Sequence, residues 1–196
     1  MGNLIKETPY SEITATLEVL DAQGVTREDL ISVRKSRTLA KKIAEVIMAS
    51  KQKVRETYKV VVDYGKSLAE MILLGNYGWF NDDINSKNFP LQGTGAQESE
   101  LVLVHLNQSA TSKEVLESLD SQGLAPAQFV HLLAFGAAYP ELQRQFPIIA
   151  LGSSFVDGHG DRGYPYLYCH GSRRRLCLYW GGDGHRGLCR FLAVGK

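Results

Sequence analysis

The sequence predicts an α+β fold: an N-terminal helical portion, a central mixed α/β region and C-terminal antiparallel β-hairpins. Three observations predict it. Apolar residues recur at helical spacing through residues 11–55. β-Branched runs then alternate with capped helical stretches as far as residue 154. From Tyr164 onward, short aromatic runs are punctuated by GS, GGDG and HRG. Residues 1–55 are therefore read as a helical N-terminal portion and residues 56–196 as an α+β domain.

The elements follow in order. Ile13, Leu17 and Leu20 share one face of a first helix, which Gly24 stops. Thr26 with Asp29 three residues on has the form of a capping box, opening a helix that carries Leu30, Ile31 and Val33. A third helix spans about 38–55, with Leu39, Ile43, Val46 and Ile47 on one face and Lys41, Lys42, Lys51, Lys53 and Arg55 mostly off it. TYKVVVDY is a strand, and its apolar run predicts burial on both faces. Ser67 caps a helix with Leu68, Met71 and Ile72 inward, ended by Gly75. Residues 76–90 have loop composition, QGTGAQ is a turn, and ESELVLVHLN is a second strand. Thr111 and Glu114 form a capping box for a helix through Val115, Leu116 and Leu119 that stops at Gly123. Pro126 is placed in the first turn of the next helix, with Phe129, Val130, Leu132 and Leu133 as its buried stripe. PELQRQF adds a further turn, FPIIALGSS a strand, and GHGDRGYP leads into YPYLYCH, RRLCLYW and LCRFLAV.

Net charge is +1 but uneven. Residues 1–55 hold ten basic and seven acidic groups (+3), residues 56–150 five and eleven (−6), and residues 151–196 seven and three (+4). A basic tail on an acidic body fits either an anionic partner or internal complementarity. No run of eighteen apolar residues predicts a transmembrane helix, so no membrane partner is expected. MGNLIKETPYSE has no apolar stretch for a secretory signal, and Lys6 departs from the myristoylation pattern. Three cysteines without framework spacing point to reduced thiols and a cytoplasmic location.

VDYGKSLAEMILLGNYGWFNDDI, SKEVLESLDSQGLAPAQFVHLLAFGAAYPELQRQFPIIALGS, RGYPYL and the terminal RFLAV, together covering residues 60–196, resemble an uncharacterised family of bacterial hypothetical proteins. The resemblance implies a bacterial, cytoplasmic protein and supplies no catalytic residue. The chain departs from that family in ending on Gly195-Lys196, where an Arg-Lys pair is common.

Four groups of residues carry candidate chemistry. Arg173 and Arg175, which alternation sets on one face apart from Arg174, lie beside Tyr166, Tyr168, Tyr179 and Trp180. Guanidinium forks among flat rings suit phosphate or single-stranded nucleic acid, and the bland alternative is a solvated hairpin edge. Cys169, Cys177, His185 and Cys189, with His170, are zinc-type ligands, but no CxxC is present and Cys169 and His170 point to opposite faces. The bland reading makes Cys177 and Cys189 small buried hydrophobes and gives His185 to a turn. His159 between Asp157 and Asp161 offers a base with an orienting carboxylate, or a plain turn. Asp82, Asp83, Glu98 and Glu100 offer paired carboxylates, but Asp82 and Asp83 are adjacent and read as loop or helix-start residues, and Ser153 and Ser154 lack the GxSxG elbow.

The expectation is a non-catalytic binding or interaction module using Arg173, Arg175, Tyr166, Tyr168 and Trp180 toward a protein or anionic partner, with no cofactor. Two alternatives stand beside it. One is a zinc protein or hydrolase built on the His159/Asp161 loop and the Cys169, Cys177, His185, Cys189 cluster. The other is a DNA-binding accessory protein using the N-terminal helices. The latter is weakened by a charged Arg34–Arg37 connection without the glycine turn of a helix-turn-helix.

Overall fold

A computed structural model describes residues 7–53, 56–180 and 184–196, with the side chains of 48–53 left aside. Met1–Lys6, the Lys51, Lys53 and Arg55 side chains, and Gly181, Gly182 and Asp183 of the GGDG turn lie outside the described residues. The chain divides into two compact units, Met1–Val54 and Arg55–Lys196.

The described residues of the first unit include three helices, α1 (Tyr10–Ala22), α2 (Arg27–Lys35) and α3 (Arg37–Lys53). Gly24 ends α1 at φ +82°, a backbone that favours glycine. Thr26 caps α2 reciprocally with Asp29. Among the described residues of this unit, no side chain is buried.

The second unit is an α+β fold around one mixed sheet. Its elements are β1 (Thr57–Asp63), α4 (Leu68–Leu74), β2 (Trp79–Phe80), β3 (Ala96–Val104), α5 (Ser112–Ser121), β4 (Leu124–Pro126), α6 (Phe129–Ala138), a 3-10 turn (Leu142–Arg144), β5 (Ile148–Ile149), β6 (Phe155–Val156), β7 (Arg162–His170), β8 (Arg173–Trp180) and β9 (Arg190–Gly195). The strand order is β1-β3-β9-β5-β7-β8-β2, with β4 added on β9 and β6 on β7. The β2–β8 and β5–β9 pairs are parallel and the others antiparallel.

Alternation gives each face of the sheet its own core. On the first face, Tyr58, Val60, Leu101, Ile148, Leu167, Leu176 and Leu192 pack against Met71 and Ile72 of α4 and Phe129, Leu132, Leu133 and Phe135 of α6. On the second, Val102, Val104, Ile149, Phe191 and Ala193 pack against Val115 and Leu119 of α5. The expected boxes at Ser67/Glu70 and Thr111/Glu114 both form.

Two expectations are corrected. β1 is buried on one face only: Tyr58, Val60 and Val62 point inward while Val61 is 58% exposed. It is an edge strand, and Thr57, Lys59 and Val61 on its second side are exposed. Pro126 ends strand β4, paired with Ala193, and α6 starts later at Phe129 after Gln128. An added strand at the sheet margin tolerates a residue without an N–H.

Candidate functional site: an open face of the sheet

β7 and β8 pair in one register from Gly163↔Trp180 to His170↔Arg173. That register sorts the C-terminal side chains. Leu167, Leu176 and Leu178 join the first-face core, so Cys169, Arg174 and Trp180 fall on the same side by alternation. The second face receives Tyr164, Tyr166, Tyr168 and His170 from β7, and Arg173, Arg175, Cys177 and Tyr179 from β8. Arg173 and Arg175 thus share a face with Tyr166 and Tyr168, whereas Trp180 does not. Trp180 stands at the opposite surface against Phe155, with ring centroids 6.2 Å apart. One residue of alternation separates it from Tyr179.

The second face is covered only in part. Tyr164, Tyr166 and Tyr179 lie at the margin of the α5-covered core, while Tyr168, His170, Arg173 and Arg175 belong to neither apolar cluster. Arg173 and His170 are exposed, and Tyr166, Tyr168, Arg175 and Cys177 are half-buried. The Tyr166 and Tyr168 rings stack at 4.8 Å and 15°, and Tyr179 meets Tyr166 edge-on at 5.6 Å. Burial pushes the Tyr166 phenol well above its usual range. Trp79 of β2, opposite Arg175 in the parallel pair and 44% exposed, puts its ring 5.6 Å from the Arg175 guanidinium. Arg175 Nη2 is 3.5 Å from His170 Nδ1. Trp79 was missed by sequence reasoning, which saw only loop composition around it. A two-residue parallel strand has no periodicity of its own to read.

The face is held from beneath by buried polar groups. Arg174 donates to Gly75 O at 2.7 Å, Gly136 O at 2.5 Å and Gln143 Oε1 at 2.9 Å. Gln143, 2% exposed, donates through Nε2 to Tyr168 O and Arg175 O, the two residues of one pair in the register. Gly136 is glycine for a steric reason: a Cβ there would stand 2.2 Å from the Tyr77 hydroxyl and 2.8 Å from Leu167. Gln143 lies in the predicted extra turn, yet nothing in its neighbourhood along the chain marks it as an anchor.

The metal-type residues do not converge. Cys169 faces the first core, while Cys177 is on the second face, and His185 and Cys189 are buried beside the α5-covered core. Among the described residues no three His, Cys, Asp or Glu side chains form a metal-holding group. Burial raises the pKa of the Cys177 and Cys189 thiols, so both stay protonated at neutral pH. His185 sits in an aromatic frame of Tyr164, Tyr179 and Phe191, with centroids 6.2, 5.0 and 5.2 Å away. Its Nε2 is 3.0 Å from Ser112 Oγ, a nucleophile–base distance at the wall of a cleft of about 410 Å³ that Asp161, Arg162 and Trp180 also line. Among the described residues, however, Nδ1 is buried without a partner, and none of them supplies the orienting carboxylate of a triad.

The other candidates serve local structure. Asp157 Oδ1 accepts the backbone N–H of His159 and of Asp161, which closes the β6–β7 hairpin and leaves the His159 side chain exposed. Ser153 Oγ accepts the Phe129 N–H at the start of α6, and Ser154 Oγ accepts from Arg162. Asp82 and Asp83 are exposed, as are Glu98 and Glu100, and Glu100 pairs with Lys59 at 3.4 Å. No helix among the described residues is long and apolar enough to cross a membrane.

Comparison with protein-family models, with curated proteins and with solved structures returns no match in any of the three. The resemblance read in residues 60–196 has no counterpart there, and no activity is carried over from it.

Proposed function

We propose that the protein is a non-catalytic binding module whose contact surface is the open end of the second sheet face, fitted to single-stranded nucleic acid. One observation carries this reading: the Tyr166–Tyr168 stack, the exposed Trp79 ring and the Arg173 and Arg175 guanidinium groups share one face, with Tyr168, Arg173 and Arg175 lying beyond the α5-covered core. Flat rings offer stacking platforms to unpaired bases, worth about 1–3 kcal/mol per base, and they do so without regard to sequence. Guanidinium forks beside them match phosphate oxygens in a bidentate way. A duplex hides its base faces, so rings on a sheet favour a single strand. The +4 charge of residues 151–196 draws a polyanion to this end of the unit.

The test is fluorescence anisotropy with a labelled 12-nucleotide single strand across a salt series. Binding weakens as salt rises, and the R173A/R175A double variant flattens the log–log slope by about 1.4, from about 0.7 per lost phosphate contact. Y168A weakens binding about 5- to 150-fold at an unchanged slope, the range set by a stacked base. Affinity indifferent to salt, or indifferent to all three substitutions, overturns the reading.

A further inference from the structure

The N-terminal unit presents an interface that its own interior does not use. Ile13, Leu17 and Leu20 in α1 and Leu39, Ile43 and Val46 in α3 follow the same 4-then-3 spacing, that of an apolar helix-packing seam. A seam of this kind is stable only when another element covers it. Here Ile13, Leu17, Leu39 and Ile43 are 38–44% exposed, Val46 is 69% exposed, and no described side chain of the unit is buried.

Charge identifies the occupant. α1 carries Glu12, Glu18 and Asp21 with no basic residue, whereas residues 37–47 of α3 carry Arg37, Lys41 and Lys42 against Glu45 alone. Two α1 helices, or two α3 helices, would set like charges along the seam. An acidic α1 beside a basic α3 sets opposite ones, and a two-fold pair of chains makes that contact twice. In the heptad frame that the apolar residues define, Asp21 directly follows Leu20 and Lys42 directly precedes Ile43, the flanking positions where charge selects partner and orientation. We infer that the N-terminal unit pairs with a second copy of this chain, α1 of one copy against α3 of the other. The pair then carries two open sheet faces on one particle, and linked sites gain avidity without any new contact.

Sedimentation velocity on the full chain tests this. A mass of twice 21.7 kDa is expected at tens of micromolar, with dissociation on dilution. L17D and I43D each return the chain to 21.7 kDa while the far-ultraviolet circular dichroism of the α+β unit persists. D21K and K42E each raise the dissociation constant about two- to thirty-fold, the range of one exposed ion pair lost at each of the two contacts, and the double variant recovers. Placing lysine at position 21 sets a cation in the last turn of α1, which the helix dipole favours, so weakening by D21K does not arise from loss of the helix. A chain that stays monomeric at the highest concentration loaded, or a dimer untouched by L17D and I43D, overturns the inference. A dimer in which D21K with K42E is no better than either alone overturns the α1-to-α3 arrangement. No nucleic acid enters the measurement, so its outcome is independent of the binding reading above.

Discussion

Three consecutive arginines in β8 have three different environments, and one residue of phase decides each. Arg173 is exposed, Arg175 lies against Trp79, and Arg174 is buried at 9% exposure with three acceptors. Replacing Arg174 with methionine leaves Gly75 O, Gly136 O and Gln143 Oε1 without their donor. Urea unfolding is expected to show a loss of about 2–4 kcal/mol, as for buried polar groups deprived of a charged partner. R174K is expected to lose nearly as much, because an ammonium is a point charge that cannot span the three acceptors. R173A should stay within about 0.5 kcal/mol of the wild type. His185 sets a second residue-level expectation. Burial lowers its pKa below the usual 6.5, as it does for His131. Below pH 6.5 the unfolded chain therefore binds protons that the folded chain refuses, and stability falls as pH drops until the folded-state values are reached. Thermal unfolding measured between pH 7.5 and 5.5 should show a falling midpoint, and H185F should reduce that fall. An unchanged pH profile in H185F would mean that the imidazole is solvated in the folded protein.

At the scale of elements, the signals written in contiguous residues were the legible ones. Thr26/Asp29, Ser67/Glu70 and Thr111/Glu114 are four-residue patterns, and all three form reciprocal caps. T111A should cost about 1 kcal/mol, read by urea unfolding, through loss of the bonds to Glu114 N–H and carboxylate. The strands from Tyr164 onward were legible for the same reason, since alternation and glycine turns are local. What depended on register was not. Trp180 reads like Tyr179 in composition, and only the pairing with Gly163 assigns it to the other face. Cys169 is separated from Cys177 and Cys189 by that same alternation. Ser112 and His185 meet across 73 residues, and Gln143 reaches β7 and β8 from 25 and 32 residues away, distances over which periodicity carries no information. Pro126 was misassigned because a proline near a helix start and a proline ending an added strand look alike until β9 is placed beside it.

At the scale of the molecule, the buried side chains among the described residues run from Tyr58 to Ala193, within the second unit. Two apolar clusters on opposite faces of one sheet give that unit its own core. A fragment of residues 55–196 is therefore expected to unfold in a single cooperative transition, with a midpoint within a few degrees of the full chain. Its affinity for a 12-nucleotide strand should match that of the full chain, since Tyr166, Tyr168, Arg173 and Arg175 are all present. On strands long enough to reach two faces, the full chain should bind at least about 100-fold more tightly than the fragment, because pairing through α1 and α3 turns the second contact into an intramolecular one. Titrating both proteins against 12- and 60-nucleotide strands separates the contributions. Equal loss on both lengths would place residues 1–54 in direct contact with the strand. A fragment that melts far below the full chain would show instead that the N-terminal helices cover the α+β unit, leaving the apolar stripes of α1 and α3 unavailable to a second copy.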